Sequence, residues 1–196
     1  FATIKSLYSE ILPASNVLET ALSNMNAVFH PPGMLMNTGW VESTGGDFLF
    51  YRQGMSPAVG RVTAVVDKER MAVAKALGVK TRSFLDNFFE AGLTTKEARD
   101  SNDISRACYE SMPNRTIKSP SSLDDRYIHE DVGYGLVPMS ELGRMVQVST
   151  PTIDAIIRLV SDATDIPYYR DGLTLEKMGI NNLDKDSLQR YITQGS

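Results

Sequence analysis

The sequence predicts an all-α fold. Apolar residues recur at helical spacing in several segments, and candidate cap residues stand just before them. Alternation of apolar and polar residues, which marks a half-buried strand, is brief everywhere, and only 48–51 is compatible with a short extended piece. We therefore expect more than half of the chain to be helical, in a single domain over residues 1–196.

The first strong helical pattern covers residues 16–30. Its apolar face consists of Leu18, Leu22, Met25 and Phe29. Pro31-Pro32-Gly33 should end this helix, because proline lacks the amide hydrogen and restricts the residue before it. His30 is therefore predicted at a helix C-terminus, beside a rigid turn.

A second helix is predicted from Ser56-Pro57 to about Leu77, with Ser56 as the N-cap and Gly78 as the stop. Ser83 to Asp86 resembles a capping box that opens a short helix. The remaining expected elements are a weaker helix over 97–110, a loop over 111–125, a helix capped by Thr150-Pro151, and two short closing helices that begin at Thr174 and Asp184.

Composition excludes several classes of protein. The net charge is −4 and no stretch concentrates Lys and Arg, which argues against nucleic acid or an anionic membrane as a partner. The single Cys108 excludes an intrachain disulfide and suits a reducing compartment, so we expect the cytoplasm. The start at Phe1 lacks an initiator Met and a signal-peptide pattern, which suggests a piece cut from a longer chain.

Two segments, 26–39 and 125–138, combine titratable side chains with Gly and Pro, and functional residues commonly lie on such turns. A histidine at a helix C-terminus is favoured in its protonated form and could act as a general acid or base near neutral pH, or could simply cap the helix. Glu130 and Asp131 are its candidate partners, or else solvated acids. Arg126 could clamp a carboxylate or form a surface ion pair, and His129 is less distinctive.

Other kinds of chemistry lack support. The two histidines lie far apart and there is no cysteine pair, so no metal site is predicted. The chain has no Gly-x-Ser-x-Gly nucleophile elbow. It also has no Gly-x-Gly-x-x-Gly after a strand, and therefore no dinucleotide fingerprint.

Three segments resemble one enzyme family. Asn-Ala-Val-Phe-His-Pro-Pro-Gly-Met-Leu-Met-Asn-Thr-Gly (26–39) resembles the signature around the catalytic histidine of opine (octopine/nopaline) dehydrogenases. Phe-Tyr-Arg-Gln-Gly-Met-Ser-Pro (50–57), followed by Ala-Lys-Ala-Leu-Gly (74–78), and Arg-Tyr-Ile-His-Glu-Asp (126–131) resemble later segments of that family. The resemblance implies a multi-helix domain like the C-terminal domains of 6-phosphogluconate and ketopantoate-type dehydrogenases.

The resemblance also implies a function. Opine dehydrogenases reductively condense an amino acid with a 2-oxo acid, such as pyruvate, and use NADH or NADPH. The family's histidine–aspartate pair maps onto His30 and Asp131, and its arginine onto Arg126, which would bind substrate. Asn37 lies in the signature and is assigned near the nicotinamide or the substrate. Gly133 departs from the family, which often has Pro there, and this is expected to loosen the loop that holds Asp131.

The cofactor would be held mainly by an N-terminal Rossmann domain of the same polypeptide, which this chain lacks. One alternative is a ketopantoate-reductase-like enzyme that reduces a 2-oxo acid without an amine. The other is a helical domain for dimerisation or binding, without catalysis. The sequence leaves open the amino acid, the 2-oxo acid, the choice between NADH and NADPH, the product's stereochemistry and a homodimer.

Overall fold

The computed structural model describes residues 1–194, and within that range it contains helices but no strand. This confirms the predicted all-α class. The predicted extended piece at 48–51 is reduced to one bridge between Leu49 and Lys118, followed by a π-helical turn at Phe50–Gly54. A second π-helical turn, Val132–Leu136, lies between two α-helices. The α-helices are α1 (Ala2–Leu7), α2 (Val17–Leu22), α3 (Asn26–Leu35), α4 (Thr38–Thr44), α5 (Pro57–Ala76), α6 (Phe84–Glu90), α7 (Lys96–Asp100), α8 (Ile104–Tyr109), α9 (Arg126–Asp131), α10 (Val137–Met145), α11 (Pro151–Thr164), α12 (Tyr168–Asp171) and α13 (Lys185–Gln194).

Helix α5 lies at the centre of the packing, against α2, α3, α8, α10 and α11. Its start is the predicted one: Ser56 accepts a hydrogen bond from the amide of Val59, and Pro57 occupies the first turn. Gly78, at φ +71°, turns the chain away after the helix. The buried stripe consists of Val59, Val66 and Val73, and it places one face of α5 in the core.

A buried arginine connects three helices. The Arg70 side chain is fully buried, and its guanidinium donates to the Asp67 carboxylate at 2.6 and 2.9 Å. It also donates to the carbonyl oxygens of Leu22, at the end of α2, and of Arg82, just before α6. The other Asp67 oxygen accepts from the Phe84 amide at 2.8 Å. Each charge is therefore paired within the interior, where an unpaired one would be strongly destabilising.

A carboxylate from α5 caps α11. The two Glu69 carboxylate oxygens accept from the amides of Thr152 and Ile153, both at 2.9 Å. The predicted cap, Thr150, makes no side-chain capping bond. Because the first amides of a helix have no intrahelical partner, Glu69 takes over the role expected of Thr150.

The predicted stop after His30 is wrong. The expected helix over 16–30 is two helices, α2 and α3, and α3 continues through Pro31 and Pro32. The two prolines remove two backbone bonds, but residues 27–34 are all buried. Burial of a whole helix surface offsets the lost bonds, so tertiary packing overrides the local preference. His30 therefore lies in the middle of a helix.

The loop expected around Asp131 is also wrong, because α9, the second π-helical turn and α10 form one continuous helical segment. Asp131 is the last residue of α9. Gly135 serves close packing, because a Cβ there would lie 2.4 Å from the Cβ of Ala27. A Cβ on Gly133 would make only ordinary contact with the Tyr168 ring, at 3.4 Å, and the expected loosening around Asp131 stays a prediction. Glycine here lets α3 approach the π-helical turn.

Two smaller differences have local causes. The expected helix over 97–110 is split into α7 and α8, because Asn102 adopts a left-handed φ of 54° and Asp103 caps a new helix. Thr174 opens a single hydrogen-bonded turn that ends at Gly179, at φ +71°, instead of a helix. The predicted cap of α13 is confirmed, since Asp184 accepts from the Ser187 amide at 2.8 Å.

The N-terminal segment contributes nothing to the core. Helix α1 has no buried residue, and Phe1, Ile4, Leu7 and Leu12 expose 51–74% of their surface. Across the part of the chain that the structure describes, no helix combines the length and the apolar character needed to cross a membrane. An apolar segment of this kind is typical of a surface that packs against something else.

Replacement of the α11 cap should destabilise the protein. We expect Glu69→Ala to lower the free energy of unfolding by about 2 kcal/mol, because two amides in a buried helix start lose a charged acceptor. Glu69→Gln, which keeps one acceptor, should lose less. Urea denaturation measures the change. The exposed Glu42 on α4 provides the control, and Glu42→Ala should stay within about 0.5 kcal/mol. Equal losses for the two alanine variants would contradict the capping role.

Candidate active site

The two residues predicted to form a pair do meet. His30, on α3, and Asp131, at the end of α9, lie 2.8 Å apart between imidazole Nδ1 and carboxylate Oδ2. Both are buried, with 4% and 6% of their surface exposed. The pair lies beneath the surface, where α3 packs against α9.

Aromatic side chains enclose the imidazole of His30. The Tyr127 ring stacks on it, with the ring centroids 3.5 Å apart and the planes 6° from parallel. The Phe29 ring lies 4.2 Å away, and the Phe50 ring approaches edge-on at 5.9 Å. The Tyr51 hydroxyl lies 3.3 Å from Nε2. The ring is thus held on both faces and at both nitrogens.

The electrostatics of His30 differ from those expected at a helix C-terminus. Burial lowers the pKa of His30 below its ordinary value of 6.5, while the hydrogen bond and the charge of Asp131 oppose this. The helix dipole was expected to favour the protonated form, but His30 is in mid-helix and largely dry. The neutral imidazole is therefore the resting form at neutral pH.

The contacts also select one tautomer. An ionised carboxylate only accepts hydrogen bonds, so Asp131 requires a proton on Nδ1 of His30. Nε2 is then an acceptor, and the Tyr51 hydroxyl is positioned to donate to it. Burial and the neighbouring Tyr127 raise the pKa of Tyr51, so its phenol keeps that proton. Nε2 of His30 is left as the basic nitrogen.

Arg126 and Asn37 lie at different depths. The Arg126 side chain is exposed and lies 3.2 Å from Glu130, and its charge helps to lower the pKa of His30. Glu130 is thus a surface partner of Arg126 and does not contact the imidazole.

The Asn37 amide nitrogen donates to the carbonyls of Gly33 and Gly54, at 2.7 and 3.0 Å. Asn37 therefore ties α3 to the first π-helical turn, and its assignment to substrate or nicotinamide stays a prediction.

The second histidine belongs to a separate cluster. His129 lies 2.7 Å from Asp124 through Nε2 and 2.8 Å from the Tyr168 hydroxyl through Nδ1. The contact with Tyr168 joins α9 to α12, and the contact with Asp124 joins α9 to the loop before it. Among the described residues, no group of His, Cys, Asp or Glu is arranged to hold a metal ion.

Two tyrosines at the site had no role in the sequence interpretation. Tyr127 lies four positions before Asp131, which is one helical turn, so both project from the same face of α9. That signal was hidden as long as Asp131 was expected on a loop. Tyr51 gave no comparable signal, because its position depends on a π-helical turn.

The comparisons with known proteins agree with one another. Residues 13–164 match the family model described as NAD/NADP octopine/nopaline dehydrogenase, alpha-helical domain. An opine dehydrogenase from Arthrobacter sp. (strain 1C) is 39% identical over 184 residues, which are 92% of this chain and 48% of that protein. Protein ocs of Agrobacterium tumefaciens (strain Ach5) is 26% identical over 172 residues, which are 87% of this chain and 46% of that protein.

A solved octopine dehydrogenase structure with NADH and L-arginine superposes with a TM-score of 0.72 at 18% identity, over all of this chain and 54% of that one. At that identity the match supports the fold alone. The chain spans about half the length of the curated relatives it matches. Since the family model covers most of the sequence, the chain belongs to the octopine/nopaline dehydrogenase family and corresponds to its alpha-helical domain.

Proposed function

We propose that this chain is the proton-handling and substrate-orienting domain of an NAD(P)-dependent opine dehydrogenase. The observation that carries the proposal is the buried His30–Asp131 pair, at 2.8 Å, inside a family-typical helical domain. The name of the Arthrobacter relative and the bound NADH and L-arginine of the solved octopine dehydrogenase support the reaction class. The substrates would be an amino acid and a 2-oxo acid such as pyruvate.

The residues described do not fit the pyrophosphate end of a dinucleotide. A Rossmann-type site is built from a strand, a glycine-rich turn and a helix N-terminus, and residues 1–194 contain no strand. The cofactor, NADH or NADPH, would therefore be held mainly by a Rossmann domain elsewhere in the polypeptide. When bound there, it would supply the hydride. The exposed apolar residues of α1 are a surface suited to pack against that domain.

His30 would serve as the base in the condensation. An amino acid enters as an ammonium ion, and it must lose a proton before its nitrogen can attack the keto carbon. The neutral imidazole can take that proton, because Nε2 is its basic nitrogen. Asp131 would then stabilise the imidazolium and keep the ring in place, as in other histidine–carboxylate pairs. The keto oxygen leaves as water when the imine forms.

Arg126 would orient a substrate carboxylate. Its present partner, Glu130, is 61% exposed, and an ion pair between exposed side chains contributes at most about 1 kcal/mol. A substrate carboxylate can therefore replace Glu130 at low cost and gain a two-point contact. Asn37 would act through its oxygen, because its nitrogen is used by the backbone.

Two readings compete with this proposal. An enzyme like ketopantoate reductase would consume NADH or NADPH with a 2-oxo acid alone. Consumption that requires an added amino acid therefore supports the opine dehydrogenase, and consumption without one supports the reductase. A helical domain for dimerisation or binding would need no acid or base. We keep a homodimer and a cytoplasmic location as predictions.

The first test is the base itself. In the full-length polypeptide, we expect His30→Gln to lower kcat by about 10²–10⁴-fold, the usual contribution of a general acid or base. Steady-state consumption of NADH or NADPH with an amino acid and a 2-oxo acid measures this. His129→Gln is the matched control and should change kcat by less than about twofold, because His129 lies in a separate cluster. A His30→Gln enzyme with full activity would refute the proposed mechanism.

The second test concerns the cofactor. The 196-residue chain alone should show no binding of NADH or NADPH in calorimetry at micromolar concentrations, since residues 1–194 do not fit a Rossmann-type pyrophosphate site. The full-length polypeptide, measured in parallel, should bind one of them. Micromolar affinity of the isolated chain would contradict a separate cofactor domain.

A further inference from the structure

The Nε2 edge of His30 is occupied by a protein group. Nδ1 is used by Asp131, so substrate protons can reach the imidazole only at Nε2. The Tyr51 hydroxyl already lies 3.3 Å from that atom. The faces of the ring are covered by Tyr127 and Phe29. A substrate must therefore either push Tyr51 aside or exchange its proton with the phenol.

Displacement of Tyr51 is costly in this packing. The Tyr51 residue is 6% exposed, and its ring lies 5.6 Å from the Phe29 ring and 5.4 Å from the Phe50 ring. Tyr51 lies in the first π-helical turn, and Phe50, the residue before it in that turn, has no exposed surface. Rotating such a ring out of a dense core leaves a cavity or forces its neighbours to shift.

Tyr51 also faces open space. With Asn26, Phe29, Phe88 and Asn114, it lines a cavity of about 240 Å³. His30 does not line this cavity. Tyr51 thus contacts the buried imidazole through its hydroxyl and also borders this cavity.

We propose that Tyr51 is a proton relay: a substrate proton reaches His30 through the Tyr51 hydroxyl. The inference rests on the proposed function, because it needs His30 as the base. It adds a catalytic residue that contacts the substrate, and it removes the need for the imidazole to be exposed.

The proton balance is simple. An N–H bond of the substrate ammonium breaks and a bond from that hydrogen to the Tyr51 oxygen forms. The original Tyr51 O–H bond breaks in the same step, and an Nε2–H bond forms on His30. The phenol is neutral before and after, so the high pKa that burial gives Tyr51 does not oppose the step. The charge ends on the imidazolium, 2.8 Å from the Asp131 carboxylate.

The test uses the full-length enzyme and two matched variants. Tyr51→Phe removes the hydroxyl and keeps the ring. Tyr168→Phe removes a hydroxyl that makes the same kind of bond, at 2.8 Å, to the other histidine. Both are assayed for kcat and KM across pH. In parallel, ¹⁵N NMR reports whether His30 still carries its proton on Nδ1.

For a relay, Tyr51→Phe should lower kcat by about 10²-fold or more at every pH, while the Nδ1 proton remains and the KM for the cofactor changes less than about twofold. Tyr168→Phe should keep kcat within about twofold. If Tyr51→Phe also keeps kcat within about twofold, substrate displaces the phenol and the relay is wrong. Should His30→Gln be inactive in that case, the proposed function stands without the relay.

A second measurement covers the case in which Tyr51→Phe fails to fold or disturbs His30. The relay moves two protons in one step, whereas direct transfer to His30 moves one. In the unsubstituted full-length enzyme, kcat should therefore depend on the deuterium fraction of the solvent along a curve that requires two protons in flight. A straight-line dependence, which one transferred proton gives, would overturn the relay.

Discussion

The contact between α3 and α9 is the constraint on which the site depends. α3 is buried along residues 27–34, and the segment that follows α9 comes so close that a side chain at Gly135 would collide with Ala27. This approach is what brings His30 to within 2.8 Å of Asp131. The same packing keeps α3 helical through two prolines. Site geometry and fold thus have one cause, and the dyad cannot loosen without disturbing the core.

The charged groups divide into those that are fixed and those that can move. Buried charges in the described chain have dedicated partners: Arg70 is bound by Asp67 and two carbonyls, and Glu69 by two amides of α11. Arg126 is exposed and has a surface ion pair. Catalytic groups gain from preorganisation, whereas a substrate clamp must exchange partners in every cycle. The burial of His30 and the exposure of Arg126 fit the catalytic role and the substrate-binding role that we propose for them.

The sequence alone was informative where structure is set locally. Caps such as Ser56, Ser83 and Asp184 act within one turn, and their positions were predicted correctly. The errors arose where distant residues decide. Pro31 and Pro32 stop a helix in isolation, but the burial of α3 is a property of the folded core. Thr150 was the expected cap, but Glu69 replaces it from another helix.

The site shows the same division between local and distant information. The resemblance to opine dehydrogenases identified His30 and Asp131, and the structure brings them together, but neither periodicity nor spacing could have joined residues so far apart in sequence. Tyr127 was within reach of local reasoning once α9 is recognised, because it shares a helical face with Asp131. Tyr51 could not be found by local reasoning, because it lies in a π-helical turn. Such a turn has a longer period than an α-helix, so its side chains do not point where α-helical spacing predicts. The position of Tyr51 beside Nε2 of His30 therefore becomes visible only in the folded structure, where the imidazole is enclosed and a proton needs a route to it.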